Sequence, residues 1–316
     1  MPAANYRKTK AKGRWSRAKP NVSGKGPKPG GGGGGGAWAA KSRKGNLTFA
    51  QGERVEQDPV SAAILDVAGG GTSIFDPVLC ELAYRWFCPP GGVVLDPFAG
   101  GSVRGIVASQ LGRRYVGIEL RPDQVEANRA QAAKLCADPM PKWIVGDSRR
   151  MNDLASGVQA DFLFSCPPYA DLEVYSDDEA DLSTMAYPDF RTALAEIIAL
   201  AAARLRPDRF ACFVVGDARD REGFYYGLPW HTVEAFGAAG MRLYNDAVLV
   251  TAAGSLPLRA GKQFATSRKL GKTHQNVFVF CNGDPRRATE AIGEADFGDG
   301  PLESAGGERT EFGELL

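Results

Sequence analysis

The sequence predicts an α/β protein built on a seven-stranded, mostly parallel sheet with helices on both faces. Three observations carry that expectation: seven short β-rich runs, helical patterns in the gaps between several of them, and runs that are apolar throughout. A strand covered on one face alternates apolar with polar residues, whereas a strand covered on both reads as a continuous apolar run. Strands that alternate with helices fit a parallel sheet.

The candidate strands are 93–96, 114–119, 142–147, 161–166, 210–216, 243–251 and 277–281, each rich in Val, Ile, Leu, Phe or Tyr. A helix over 102–111 follows a glycine-rich turn, and 123–135 carries the Ala, Gln and Asn of a solvent-facing helix. Two more fit 188–205 and 229–239. No internal repeat is present.

The chain has 316 residues, 44% hydrophobic and 24% charged, enough for one large or two small domains at roughly 100–200 residues each. Its net charge of +1 hides a polar arrangement. Residues 1–50 hold 12 of the 38 Lys and Arg and no acid, so the other 266 residues carry 26 basic against 37 acidic groups. Lys, Arg, Gly and Pro dominate 1–50, with an unbroken glycine run from Gly30 to Gly36. We read that segment as a disordered basic arm suited to nucleic-acid phosphates. Residues 51–285 form the folded domain and 286–316 an acidic, flexible tail. No apolar run reaches the length of a membrane span and the basic start lacks a secretory h-region, so a cytoplasmic protein is expected. The six cysteines lie far apart with no CxxC pair, which argues against a zinc site or a disulfide scaffold.

In a parallel sheet of this kind, ligands bind at the carboxyl ends of the strands. The first strand runs into Asp96-Pro-Phe-Ala-Gly-Gly-Ser102, where Gly100 and Gly101 let backbone approach a ligand. The second ends in Glu119, 23 residues after Asp96, where an acid binds the hydroxyls of a ribose. The third ends in Gly146-Asp147-Ser148, suited to an adenine amine. Taken singly, each acid also fits a turn or helix cap; together they converge on an adenosine-like ligand.

The fourth strand ends Ser165-Cys-Pro-Pro-Tyr169. With the Asp96 loop, this resembles the adenine-N6 and cytosine-N4 amino-methyltransferases of DNA, whose pattern is a DPFxGxG-type loop followed by [D/N/S]-P-P-[Y/F/W]. The resemblance implies a class I, Rossmann-like fold, S-adenosylmethionine (SAM) as cofactor, DNA as partner and no required metal. Thr72-Ser-Ile-Phe-Asp-Pro77 resembles the segment that helps hold the methionine end of SAM, which would place Phe75 and Asp76 there. Asp96, Phe98, Gly100 and Gly101 would form the central loop, with Glu119 on the ribose and Asp147 on the adenine. Cys166, Pro167, Pro168 and Tyr169 would form the target-base site, with Tyr169 stacking on a base flipped from the duplex. The stretch Ser267-Arg-Lys-Leu-Gly-Lys-Thr-His-Gln-Asn276 is similar to phage and prophage members in particular.

One departure is Cys166, where the pattern has Asp, Asn or Ser. An exocyclic amine is a poor nucleophile until acceptors polarise its hydrogens, and a thiol accepts weakly. Four readings stay open: backbone carbonyls carry that duty, Ser165 or another residue assists, Cys166 is simply a small buried residue, or a Cys166 thiolate attacks a pyrimidine ring and directs methyl to carbon-5.

Residues 170–190 hold seven acids and no Lys or Arg, with Tyr175 and Tyr187, and read as a lid. Residues 254–276 carry Arg259, Lys262, Arg268, Lys269 and Lys272 without an acid and read as a long basic loop that clamps phosphate. His274, at a strand start, receives no catalytic role. No hairpin or helix for reading base edges stands out, so recognition is expected to be relaxed or short-site, with a small module, the basic loop and arm, or a homo-oligomer supplying it. Alongside DNA amino-methylation, an RNA or protein methyltransferase and a non-catalytic nucleic-acid-binding protein remain open.

Overall fold

The computed structural model describes residues 75–172, 174–250 and 256–294, together with two short strands at Arg7–Lys8 and Trp15–Ser16. Within residues 1–50 these two strands pair antiparallel, Arg7 with Ser16 and Lys8 with Trp15. The rest of the arm, with its glycine run, residues 72–74 and the tail beyond 294 lie outside the described residues.

From residue 75 the elements run α1 (Pro77–Phe87), β1 (Val93–Asp96), α2 (Val103–Gln110), β2 (Arg114–Glu119), α3 (Pro122–Leu135), β3 (Lys142–Val145), α4 (Met151–Leu154), β4 (Ala160–Ser165), α5 (Tyr187–Ala202), β5 (Leu205–Val215), α6 (Leu228–Ala238), β6 (Arg242–Val250), α7 (Leu256–Ser267), β7 (His274–Asn282) and α8 (Pro285–Ile292). The seven strands form one sheet in the order β3-β2-β1-β4-β5-β7-β6. All neighbours are parallel except β7, which runs against both β5 and β6. The expected class I, Rossmann-like, mostly parallel sheet is what the chain forms. Strand order reverses between β1 and β4, which places a crevice at their carboxyl ends.

Successive strand residues point to opposite faces; both faces of the central strands are buried, while the edge strand β6 is exposed along almost its whole length. Leu95, Leu163, Phe213 and Phe280 pack with Phe190, Ile197 and Phe236 of α5 and α6. Val94, Phe162, Phe164 and Cys212 pack on the other side with Tyr84, Val125 and Ile292 of α1, α3 and α8. Fully burying a Val, Leu, Ile or Phe side chain in this way stabilises the fold by roughly 1.5–3 kcal/mol. No disulfide joins any of the six cysteines, and burial pushes the Cys88 thiol up to about 12.

Four helices were not expected, one of them the single turn α4. The first, α1, starts on Pro77 behind an N-cap, Asp76, whose Oδ1 accepts from the backbone N–H of Val78 at 2.8 Å and Leu79 at 3.2 Å. Helix α7 occupies 12 residues of the segment read as a basic loop. Helix α8 stands where the flexible tail was expected to begin, capped by Asp284 and burying Ala288 and Ile292. Strand β5 begins five residues earlier than predicted, because its polar start, Arg206-Pro-Asp-Arg209, carries a positive φ at Asp208 and an irregular register against β4. Among the described residues, no helix is long and apolar enough to cross a membrane.

Candidate active site

Asp96 closes β1 with its carboxylate fully buried. Oδ2 accepts from Arg104 Nε at 2.6 Å and Tyr115 OH at 2.7 Å, while Oδ1 accepts from Ser165 Oγ at 2.5 Å and the Phe98 N–H at 3.1 Å. Arg104, eight residues on in α2, also donates through Nη2 to the carbonyls of Phe98 at 2.6 Å and Ala99 at 3.0 Å. Burial works against the Arg104 charge, yet the Asp96 carboxylate together with Tyr115 and Cys166 outweighs it, and the guanidinium holds its proton more tightly than usual. Burial and the same carboxylate push the Tyr115 phenol well up. The Asp96 side chain therefore faces the core and shapes the loop from within. Phe75 belongs to the same assembly: its ring meets Phe164 edge-on at 5.6 Å, and the Arg104 guanidinium lies 4.6 Å from its centroid. Asp76, expected beside it at the ligand, has its Oδ1 occupied as the cap of α1.

Gly100 takes φ +50°, donating its N–H to Glu119 Oε2 at 2.8 Å and accepting from Asn128 Nδ2 at 2.8 Å. A side chain built at Gly101 would meet no atom within 4 Å, so the loop opens into free space there. Glu119 Oε1 accepts from the Arg121 N–H at 3.0 Å. Each Glu119 oxygen thus takes one backbone donor and keeps a lone pair for a ligand. Burial pushes its carboxyl above the usual range, partly countered by those two N–H groups.

Asp147 stands after β3 as expected, but its carboxylate is engaged by its own neighbour. Oδ1 accepts from the Arg149 N–H at 2.9 Å, and Oδ2 from Arg149 Nε at 2.9 Å and Nη2 at 2.8 Å. Ser148 Oγ donates to the Pro97 carbonyl at 2.5 Å, tying this strand end to the β1 loop.

Beyond β4, Ser165 is fully buried, donating to Asp96 and accepting from the Phe98 N–H at 3.2 Å. It is thereby removed as a helper of Cys166. Pro167 is buried, and Pro168 and Tyr169 are half-buried. The Tyr169 ring lies on Gly216 at the end of β5, where a Cβ would come within 2.8 Å of its Cε2. Its hydroxyl sits 3.3 Å from Cys166 Sγ, and burial, then the thiol, raises the phenol pKa strongly.

A cavity of about 460 Å³ adjoins this loop, lined by Ala170, Met185, Tyr187, Asp220, Arg221 and Tyr226 among others. Tyr187 and Tyr226 stack there with centroids 4.2 Å apart and planes at 14°. Tyr187 OH is 2.7 Å from His231 Nδ1, and burial, then Arg191, lowers the His231 pKa. Tyr226 and His231 escaped the sequence reading; the glycine-bracketed Gly223-Phe-Tyr-Tyr-Gly227 after a strand was their only signal. Of the basic residues, Lys269 and Lys272 reach the segment after β5, whereas Lys262 is exposed on α7, Arg268 folds over Phe264 at 5.2 Å, and the Arg259 side chain lies outside the described residues. Among the described residues no group of three or more His, Cys, Asp or Glu is placed to hold a metal ion.

Comparison with known proteins places this geometry. Residues 78–131, from α1 through most of α3, match the family model for the DNA methylases of the N6/N4 type. The chain is 41% identical over 58 residues to the Type II methyltransferase M.XycI of Xanthomonas campestris pv. cyanopsidis, covering 18% of this chain and 19% of that one. It is 52% identical over 44 residues to the Type II methyltransferase M.Cfr9I of Citrobacter freundii, covering 13% and 15%. The matches thus span less than a fifth of those relatives. A solved structure, TrmN from Thermus thermophilus, aligns with a TM-score of 0.48 at 16% identity over 71% of this chain and 52% of its own. Over residues 78–131, the segment that holds the Asp96 loop and Glu119, this chain is similar to the N6/N4 DNA methylases.

Proposed function

We propose that the protein is a SAM-dependent DNA methyltransferase that methylates the exocyclic amine of adenine or cytosine. The observation that carries this reading is the junction at the switch point. One side is a glycine loop open at Gly101 beside the Glu119 carboxylate; the other is Cys-Pro-Pro-Tyr; the buried Asp96–Ser165 bond joins them.

The residues suit the cofactor. Glu119 offers an ionised acceptor to a pair of ribose hydroxyls, and the side-chain-free backbone at Gly100 and Gly101 leaves room for the ligand. Asp147 fits less well as it stands, because Arg149 would have to move before its carboxylate could receive an adenine amine. When bound, SAM supplies an electrophilic methyl on a sulfonium centre. The chain's own part is orientation and polarisation. Pro167 and Pro168 fix the loop and have no N–H to compete for its carbonyls, and with Ser165 engaged and Cys166 a weak acceptor, those carbonyls hold the amine hydrogens. Tyr169 offers an aromatic face, and the adjoining cavity gives a flipped base a place to go.

The test is incubation of the full-length protein with SAM and unmethylated DNA, followed by nuclease digestion and mass spectrometry. N6-methyladenine or N4-methylcytosine is expected. Methyl at carbon-5 would instead make Cys166 a nucleophile, and methyl on RNA or protein alone would overturn the DNA assignment.

A further inference from the structure

The segment 217–227, whose residue pattern does not mark it as a recognition element, leaves β5 as a tight hairpin. Arg219 and Tyr225 form an antiparallel bridge. The Asp220 N–H donates to the Phe224 carbonyl at 2.8 Å, and the Tyr226 N–H to the Ala218 carbonyl at 3.0 Å. Asp220 Oδ1 closes the turn by accepting from the N–H of Gly223 at 2.6 Å and Phe224 at 2.8 Å. Asp217 Oδ1 ties the base to the start of α6 through Gly227 at 3.2 Å and Leu228 at 3.3 Å. Arg219 Nη1 donates to the Gly223 carbonyl at 2.7 Å, while its guanidinium lies 3.7 Å from the Tyr225 centroid. These bonds hold Phe224 at the tip in water, with 68% of its surface exposed.

The surroundings fit a polyanion. Because β7 runs against β5, pairing Asn276 with Val215, the chain just before it arrives beside the hairpin. Lys269 packs over Gly223, where a Cβ would come within 2.4 Å of its Cε, and Lys272 Nζ lies 5.9 Å from the Tyr225 centroid. Arg221 is exposed at the turn, as is one acid, Glu222; Asp217 and Asp220 are engaged with backbone. The hairpin's other flank, through Asp220, Arg221 and Tyr226, lines the cavity beside the target-base loop.

We propose that Phe224 is an intercalating wedge that enters the base stack of a DNA duplex next to the target and holds open the gap the base leaves, with Lys269, Lys272 and Arg221 on the flanking phosphates. Apolar wedges set among phosphate-binding cations unstack duplex steps in this way. The inference rests on the DNA-methyltransferase reading above.

The experiment uses the full chain and an oligonucleotide duplex carrying a site methylated in the nucleoside assay. One version has the normal partner base, the other an abasic position opposite the target. Phe224→Ala should lower kcat/KM on the paired duplex about tenfold or more, yet stay within about twofold of wild type on the abasic one, whose target is already unpaired. Phe224→Leu, still apolar, should keep most of the paired activity. Full activity of Phe224→Ala on the paired duplex overturns the wedge alone, as does an equal loss on both substrates at unchanged SAM affinity and melting temperature. Wild-type protein that methylates no DNA overturns the enzyme reading and the wedge with it.

Discussion

The hydroxyl of Ser165 donates a 2.5 Å hydrogen bond to Asp96 Oδ1, joining the end of β4 to the end of β1 across the point where strand order reverses. The same hydroxyl accepts from the Phe98 N–H, so one buried oxygen fixes the spacing between the two loops. Ser165→Ala should therefore lower stability by about 1.5–3 kcal/mol, the usual worth of a hydrogen bond to a charged group. As a positioning residue it should also reduce kcat more than it weakens SAM. Urea unfolding and steady-state kinetics read both; an unchanged kcat would count against the positioning role.

Arg104 is the only cation bonded to the buried Asp96 carboxylate among the described ion pairs. Arg104→Met should destabilise the fold by about 3–5 kcal/mol, since it strands a buried charge. Removing both partners with Asp96→Leu and Arg104→Met should recover part of that stability but leave SAM binding impaired, as the carbonyls of Phe98 and Ala99 lose their donor. Calorimetric melts and equilibrium dialysis with labelled SAM would check both halves.

Glu119→Ala should weaken SAM binding by about 1.5–3 kcal/mol for each charge-assisted bond lost. Acid should do the same in the wild type. Because burial raises the Glu119 pKa, the carboxylate is neutralised on acidification earlier than an ordinary one near 4.3. SAM affinity should thus fall as pH drops, with a midpoint above that value, and the Ala variant should lack this step. The linkage to folding has the opposite sign: a raised folded pKa means that the group's contribution favours folding most at low pH and is lost as pH rises through it. Calorimetric titrations across pH with wild type and variant would separate the two.

Gly216 leaves room for the Tyr169 ring. Gly216→Ala would place a Cβ within 2.8 Å of it and push the ring from its seat. Turnover on DNA should fall as it does in Tyr169→Ala, where lost stacking is worth about 1–3 kcal/mol, while SAM affinity stays near wild type in both. Retained turnover in either variant would remove Tyr169 from the base site.

The central strands were legible because both faces are covered: Phe162, Leu163 and Phe164 are all buried, so β4 is apolar at three successive positions. Glu119 could be placed at its strand end from its distance beyond Asp96, and its carboxylate there accepts from two backbone N–H groups. The partners of the other acids were not legible. A strand-end carboxylate looks the same in sequence whether it faces a ligand, as assigned to Asp147, or a guanidinium two residues away, which is what it meets. Asp76 illustrates the same ambiguity, being a helix cap before Pro77. Helix α7 was hidden by Gly261, Thr266 and Ser267, weak helix formers, and α8 by its place in an acidic, glycine-rich stretch. The 217–227 hairpin lacks any alternating pattern, since one bridge and the side chains of Asp217, Asp220 and Arg219 hold it.

The reversed direction of β7 has a consequence for how such an enzyme can diversify. Chain inserted just before β7 is delivered to the edge of the sheet where β5 ends, far in sequence from Glu119 and the Asp96 loop. On the function proposed above, the segment between β6 and β7 is therefore a natural graft site: changing its length or sequence would alter target choice, while the parallel half of the sheet that carries the Asp96 loop and Glu119 is inherited intact.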